Sequence, residues 1–424
     1  MQADVVPERK IDRYFKWRRV RSRLCTGLLA PYWDDLVAWM AGQGYAREVI
    51  RGTVQLTEAF AAYAVSQGVK NVADLTDEMV DRHLDARLRR GSLTPSSRRP
   101  ARGHIRHVMT FLRERGLLRP PVPPPSPHSV LLGEFAAFLR DHRGVGPGTI
   151  KQYRIEAASF LDTLGADATP ERIGRLTPTE VQRFVMVRAS GLTRSGRKAL
   201  CSTLRSFLRF LHLQGHLGRD LVACVPVIPS FRLARLPRAL PWEDVQHTLA
   251  AVDRSTPKGR RDYALLLLVA TCGMRIGQIR ALQLDDINWR HETLRVRAAK
   301  GGRHVLVPLL PAVGEAIVDY LRRGRPPSSS LIVFLRMRAP FRPLRGNLYP
   351  VFERNARKGG VTAPVVGAHT WRHACATRMV GQGQSLKTVR DVLGHRSVET
   401  TFIYTKVDLE TLRQAALDWP EVSP

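Results

Sequence analysis

The sequence predicts a mainly α-helical protein with a small β component, in which two tandem helical modules precede a mixed α+β domain. Three observations carry that prediction. Apolar residues recur at helical spacing in two stretches, residues 30–116 and 129–215, whose layouts match at an offset of about 100 residues. Alternation of apolar and polar residues is convincing only at residues 293–298 and 304–309, on either side of Lys300-Gly-Gly-Arg303, which reads as a hairpin turn. Two proline-rich breaks separate the parts, a stiff, extended spacer at residues 120–128 and a second boundary at 225–241.

Composition limits the partners. The chain has 424 residues with 67 Lys+Arg against 37 Asp+Glu, a net charge of +30, which points to a polyanion and first of all to nucleic acid. A hydrophobic fraction of 44% supports real cores and excludes a disordered chain. The five cysteines (Cys25, Cys201, Cys224, Cys272 and Cys375) are odd in number and lack paired spacing, so they read as core residues of a reducing compartment. The longest apolar run, residues 264–270, is far too short to span a bilayer, and the first residues lack a signal-peptide layout. The expectation is a cytoplasmic bacterial protein, associated with the nucleoid and without a membrane partner.

Taken in order, residues 1–29 form a basic N-terminal arm. Residues 9–23 alone carry eight basic side chains among Tyr14, Phe15 and Trp17, suited to neutralising phosphates or, more simply, to a solvated leading helix. Residues 30–119 form the first helical module and 120–128 its Pro-rich linker. Residues 129–224 form a second helical module. Each module places a basic loop before its last helix. Residues 87–106 contain Arg98, Arg99 and Arg102, and residues 188–198 contain Arg194, Arg197 and Lys198. A helix entered from a basic, Ser/Thr-rich turn suits docking on phosphates. The linker at 225–241 carries four prolines and would let the parts on either side close around a duplex.

From residue 242 to 424 the pattern mixes helix and strand. Thr271-Cys-Gly-Met-Arg275-Ile-Gly277 interrupts a buried helix and would hold Arg275 on a tight corner. Lys300 rides on the hairpin turn, next to Arg303. His369-Thr-Trp-Arg372-His373 sits on a helix, where positions three and four apart share a face. Leu393-Gly394-His395 follows, then Tyr404 and a final helix at 408–417. A guanidinium supplies a planar fork for phosphate oxygens, and an imidazole exchanges protons near neutral pH. A phenol beside cations is a nucleophile if they favour its phenolate. A zinc site on His369 and His373, with Cys375 or His395, is a competing reading. It lacks a Glu beside the first His and any CxxC pair, so no metal is expected.

With these residues placed, the sequence resembles the tyrosine recombinases, the phage integrases and their relatives. The resemblance covers residues 129–417 and is strongest over 261–405. It rests on Arg275-Ile-Gly-Gln278, Lys300-Gly-Gly-Arg-His-Val-Leu-Val-Pro308, His369-Thr-Trp-Arg372-His373-Ala-Cys-Ala-Thr377 and Leu393-Gly-His395 through Tyr404-Thr. It implies a tyrosine recombinase-type α+β catalytic domain behind helical DNA-binding domains, of which residues 129–224 would bind the core of the DNA site. In it Tyr404 is the nucleophile that forms a 3′-phosphotyrosine link, and Arg275 and Arg372 clamp the phosphate. Lys300 is the acid, His369 the base or positioner, and His395 a hydrogen-bond donor to the phosphate, while Gln278 and His373 stand behind them. Relatives often carry an acidic residue where Gln278 stands. The resemblance implies no cofactor, a double-stranded DNA partner, and a homotetramer on two sites, alone or with related recombinases. The rival readings are a type IB topoisomerase-like enzyme and a non-catalytic DNA-binding protein of the same fold.

Overall fold

A computed structural model describes residues 9–118, 128–165, 169–229, 239–297, 304–394, 400–402 and 404. Lys300, Arg303, His395 and the helix expected at 408–417 lie outside the described residues. The chain divides into two units, Met1–Pro121 with Arg235–Pro424, and Val122–Ala234.

The first unit begins with the helices α1 (Arg18–Cys25), α2 (Trp33–Gly42), α3 (Arg47–Ser66), α4 (Asp77–Arg89) and α5 (Pro95–Glu114). Their apolar faces meet in one core around Trp33, Met40, Phe60, Leu84, Ile105 and Phe111. Ile11, Phe15 and Leu24 are buried in the same core, and Arg9 donates to Asp34 at 3.2 Å and to the Ala30 carbonyl at 3.1 Å. The described part of the expected basic arm is therefore built into the first module rather than standing apart from it. Burial of its apolar residues and the pairing of Arg9, Arg21 and Arg23 with Asp34, Asp12 and Glu58 are the reasons.

The second unit holds α6 (Ser129–Asp141), α7 (Pro147–Asp162), the single-turn α8 (Pro170–Gly174), α9 (Pro178–Ala189) and α10 (Arg194–Leu213). Phe135, Phe160, Phe207 and Phe210 pack in its centre through edge-on and tilted ring contacts. The two modules share a helix layout down to their caps: Thr76 accepts from Met79 N–H where Thr177 accepts from Glu180 N–H. In the second module the cap is a full box, since Glu180 returns a bond to the Thr177 N–H at 2.9 Å.

The C-terminal part of the first unit carries α11 (Trp242–Ala250), α12 (Pro257–Cys272), α13 (Ile276–Ala281) and a meander of β1 (Ile287–Asn288), β2 (Thr293–Val296) and β3 (Val305–Pro308). Then come α14 (Pro311–Arg323), α15 (Tyr349–Lys358), α16 (Ala368–Gly381) and α17 (Leu386–Leu393). The strands pair antiparallel in the order β1-β2-β3, with Leu294 opposite Val307. From Ala264 to Ala270 helix α12 is apolar on every side and buried on every side, packed against α14 and α16. It begins earlier than its apolar run suggests: Thr256 caps it through the Gly259 N–H at 3.0 Å, and Pro257 fills its first turn. The sheet is held from below by Asp286, which is buried and accepts from Arg295 Nε at 3.0 Å and Arg297 Nε at 3.0 Å.

The Glu180 box gives a pH test. The Arg172 guanidinium, against the opposition of burial, leads the Thr177 cap in holding the Glu180 carboxyl down at about 2, where 4.5 is usual. A depressed carboxylate stabilises the fold fully above its unfolded value, loses that contribution as the pH falls, and has none left below its folded value. Glu180→Gln should therefore weaken α9 by about 1 kcal/mol at pH 6, a figure discounted for solvent around the pair. The gap to wild type should shrink from pH 4.5 downward and close near pH 2. Hydrogen exchange of α9 amides in both proteins at matched pH reads it.

Candidate active site

The site is made where four helix ends meet. Helix α12 stops at Gly273, whose φ of 57° lies in the left-handed region and whose amide bonds to the Val269 carbonyl at 3.1 Å. A side chain there would also meet Leu393 Cδ2 at 2.5 Å and would have to push that side chain aside. The chain then turns so that Arg275 becomes the N-cap of α13. Gln278 accepts the Arg275 N–H through Oε1 at 2.9 Å, which fixes the corner.

Arg275 Nη1 donates to the carbonyls of Leu393 at 3.3 Å and Gly394 at 3.4 Å. Arg372, buried on α16, donates through Nη2 to the same Leu393 carbonyl at 2.7 Å and through Nη1 to the Gly273 carbonyl. Two guanidinium forks thus converge on one oxygen at the C-terminal end of α17. Burial, joined by the charge of Arg275, lowers Arg372 to about 10, and Tyr404 and Cys375 pull the other way. Burial lowers Arg275 as well.

Tyr404 is 2% exposed, packed with Ala376, Val389 and Leu393. Its hydroxyl lies 2.9 Å from His373 Nδ1. Burial pushes the phenol up to about 12, against the pull of Arg372 and Arg275. The expectation that neighbouring cations favour the phenolate is corrected here: they act in that direction, but loss of hydration outweighs them. The phenol is neutral at rest, and its proton must leave as it reacts. Burial, with the charges of His369 and Arg372, lowers His373, so the imidazole beside the phenol is neutral too. His369, one turn earlier, is exposed.

The structure therefore brings together Arg275, Arg372, His373, Gln278 and Tyr404. Cys375 belongs to the core: it donates to the Thr271 carbonyl at 3.5 Å, and burial raises its thiol to about 12. Among the described residues no cluster of three or more His, Cys, Asp or Glu could hold a metal ion. Of the residues expected to touch DNA, Arg98 pairs with Asp85 at 2.8 Å, Arg102 pairs with Asp81 at 2.7 Å, and Arg194 donates to the Pro229 carbonyl at 2.6 Å. Arg197 donates to the Leu192 carbonyl at 3.0 Å, and Arg99 is exposed. The carbonyls of Leu393 and Gly394 were missed as partners of the clamp. Only the glycine after an apolar helical run hinted at the cap that presents them.

Two family profiles match the chain: the phage integrase family over residues 238–411, and the phage integrase N-terminal SAM-like domain over 132–215. A putative integrase/recombinase y4rA of Sinorhizobium fredii is 35% identical over 404 residues, covering 94% of this chain and 96% of the relative. The chain belongs to the phage integrase family. The tyrosine recombinase XerC of Oceanobacillus iheyensis is 29% identical, over 66% of this chain and 92% of its own. Among solved structures, a lambda integrase dimer bound to a COC′ core site matches with a TM-score of 0.52 at 19% identity, over 69% of this chain and 99% of the other. XerH in a post-cleavage complex with a palindromic difH substrate matches with a TM-score of 0.52 at 20% identity, over 68% and 85%. This member of the family is thus a tyrosine recombinase, a DNA strand-transferring enzyme of site-specific recombination. The first helical module lies outside both profile matches, yet the y4rA relative spans nearly the whole chain.

Gln278 carries a prediction. Gln278→Ala removes the acceptor that closes the Arg275 corner and should cost about 0.5–2 kcal/mol, the range for a lost cap. Gln278→Glu keeps the acceptor and adds a charge favoured at a helix N-terminus, so it should match wild type. Urea unfolding of the three proteins tests this, and equal loss in both variants would refute the capping role.

Proposed function

We propose that this recombinase cuts and rejoins double-stranded DNA at specific sites through a 3′-phosphotyrosine at Tyr404. The observation that carries the reading is the convergence of the Arg275 and Arg372 forks on the Leu393 carbonyl, close enough to Tyr404 for both to act on its phenol. A scissile phosphate brings two non-bridging oxygens to such a pair and forms charge-assisted bonds stronger than those to a neutral carbonyl. In the pentavalent transition state the added negative charge falls between the same two forks.

In the step itself the Tyr404 Oη–P bond forms and the P–O5′ bond breaks. The phenol proton passes to a base and the leaving oxygen receives one from an acid, leaving a free 5′ hydroxyl. His369 is the base or positioner, Lys300 the acid, and His395 a further donor to the phosphate, as the family resemblance implies. One ester replaces another of similar energy, so neither ATP nor a metal enters the balance. Attack by the 5′ hydroxyl of a second duplex reverses the step and completes exchange. The complexes of XerH with a difH substrate and of lambda integrase with a COC′ core site support a DNA partner for this chain also. We further read it as a homotetramer on two sites, alone or with related recombinases, serving a mobile element in the cytoplasm. Arg99, Arg194, Arg197, Lys198 and Arg303 are its remaining DNA-contact residues. Arg98 and Arg102 serve first to tie α5 to α4.

Tyr404→Phe should abolish the covalent protein–DNA adduct on a nicked half-site while leaving DNA affinity within about twofold. Arg372→Ala should slow adduct formation by about 10²–10³, the usual effect of losing one transition-state donor. An undiminished adduct with Tyr404→Phe would assign the nucleophile elsewhere.

A further inference from the structure

Neither family profile covers the first helical module, so its use must be read from its contacts. One contact reaches into the catalytic domain. After α14 the chain forms a small hairpin: Leu335 bridges to Pro343, Arg336 N–H donates to the Arg342 carbonyl at 2.9 Å, and Leu344 N–H to the Phe334 carbonyl at 3.3 Å. Its tip is Ala339-Pro340-Phe341. Ala339 packs against the core of the first module, and Phe341 lies over Gly44. Arg342 approaches Glu114 at 3.9 Å, and Glu114 also takes the Trp39 indole N–H at 3.1 Å. Arg336 and Arg342 stand near enough to Tyr45 to act on its phenol electrostatically.

Gly44 shows how close the fit is. It ends α2 in the left-handed region, φ 79°, with its amide on the Ala41 carbonyl and Tyr45 N–H on the Met40 carbonyl. Gly68 ends α3 in the same way, φ 88°, with its amide on the Val65 carbonyl and the Val69 N–H on the Ala64 carbonyl. A Cβ at Gly68 would meet open space, whereas one at Gly44 would enter the Phe341 ring, with Cδ2 at 2.8 Å. The backbone explains both glycines, and the hairpin adds a second demand at one of them.

The root of the hairpin is tied to the active site. Arg261 Nη1 donates to the Leu335 carbonyl at 3.1 Å, and the Tyr320 hydroxyl accepts the Leu335 N–H at 3.2 Å. Arg280, on the six-residue α13, donates to the Leu344 carbonyl through Nε and to the Gly346 carbonyl through Nη1, both at 3.1 Å. The other end of α13 is Arg275.

We propose that the Phe341 hairpin is a joint by which the first helical module grips the catalytic domain of its own chain, and that through Arg280 this grip steadies the Arg275 corner. The second half rests on Arg275 acting as a phosphate clamp. The module is then a working part of the catalytic domain as well as a carrier of basic charge.

The test uses the full chain with Phe341→Ala, Gly44→Ala and, as a control for backbone strain alone, Gly68→Ala. Hydrogen exchange at residues 39–45 and 336–344 should accelerate in the first two variants and remain at the wild-type rate in the control. Adduct formation on a nicked half-site should slow about two- to thirtyfold in the first two and not in the control. Protection at both segments should survive tenfold dilution, and its loss on dilution would assign the contact to a second copy. Unchanged exchange at 39–45 in Phe341→Ala would remove the joint, and faster exchange with an unchanged adduct rate would remove its link to Arg275. If wild type forms no adduct, the clamp reading and the link fall together, while exchange still decides the joint.

Discussion

Two like charges held at one neutral oxygen are the constraint around which the catalytic domain is built. Arg275 and Arg372 would separate in water. Here Gly273, the Gln278 cap and the packing of α16 against α12 leave them no room to do so. The lowered Arg372 shows the cost, since burial and the neighbouring guanidinium both oppose its charge. Carbonyl dipoles at the end of α17 offset part of that cost, as they do wherever a cation meets a helix C-terminus. An anion would offset more. Among the described residues the two forks bond to carbonyls, and an anion between them would be held by charge as well as by dipoles, which is the physical content of phosphate binding.

The same low-polarity surroundings act in opposite directions on the two partners of the reaction. They strengthen every bond the forks make to a phosphate. They also keep the Tyr404 phenol protonated, up at about 12, until a base can take its proton. A phenol exposed enough to ionise readily would sit where water competes for the phosphate. Burial therefore favours a nucleophile made at the moment of attack, and the 2.9 Å contact to a neutral His373 holds it without drawing its proton away.

What could be read in one dimension was chemistry carried by local spacing. Arg275 on a glycine-bounded corner, Arg372 one helical turn from His369, and a phenol downstream are visible without any fold. The strand pair around residue 300 was visible in its alternation, and the twin helical modules in their matching periods. What could not be read depends on packing between distant segments. Arg98 and Arg102 look like free cations in a basic loop until α5 lies against α4 and presents them to Asp85 and Asp81. The basic run at residues 9–23 looks like an arm until Ile11 and Phe15 are seen in the core. The sign of the Tyr404 shift needed burial, which spacing does not report.

The Leu393 carbonyl is also where clamp and nucleophile meet along the chain. It belongs to the last residue of α17, whose Gly394 cap is left-handed with φ 59°, and Leu393 itself packs on Tyr404. In the proposed chemistry a phosphate oxygen takes the place of that carbonyl between the forks. The exchange favours the charged acceptor by more than a typical neutral hydrogen bond, which nets only about 1 kcal/mol. The freed carbonyl must then find a new partner. Occupation of the clamp and presentation of the nucleophile are thus linked by covalent continuity over eleven positions, without any longer path through the fold.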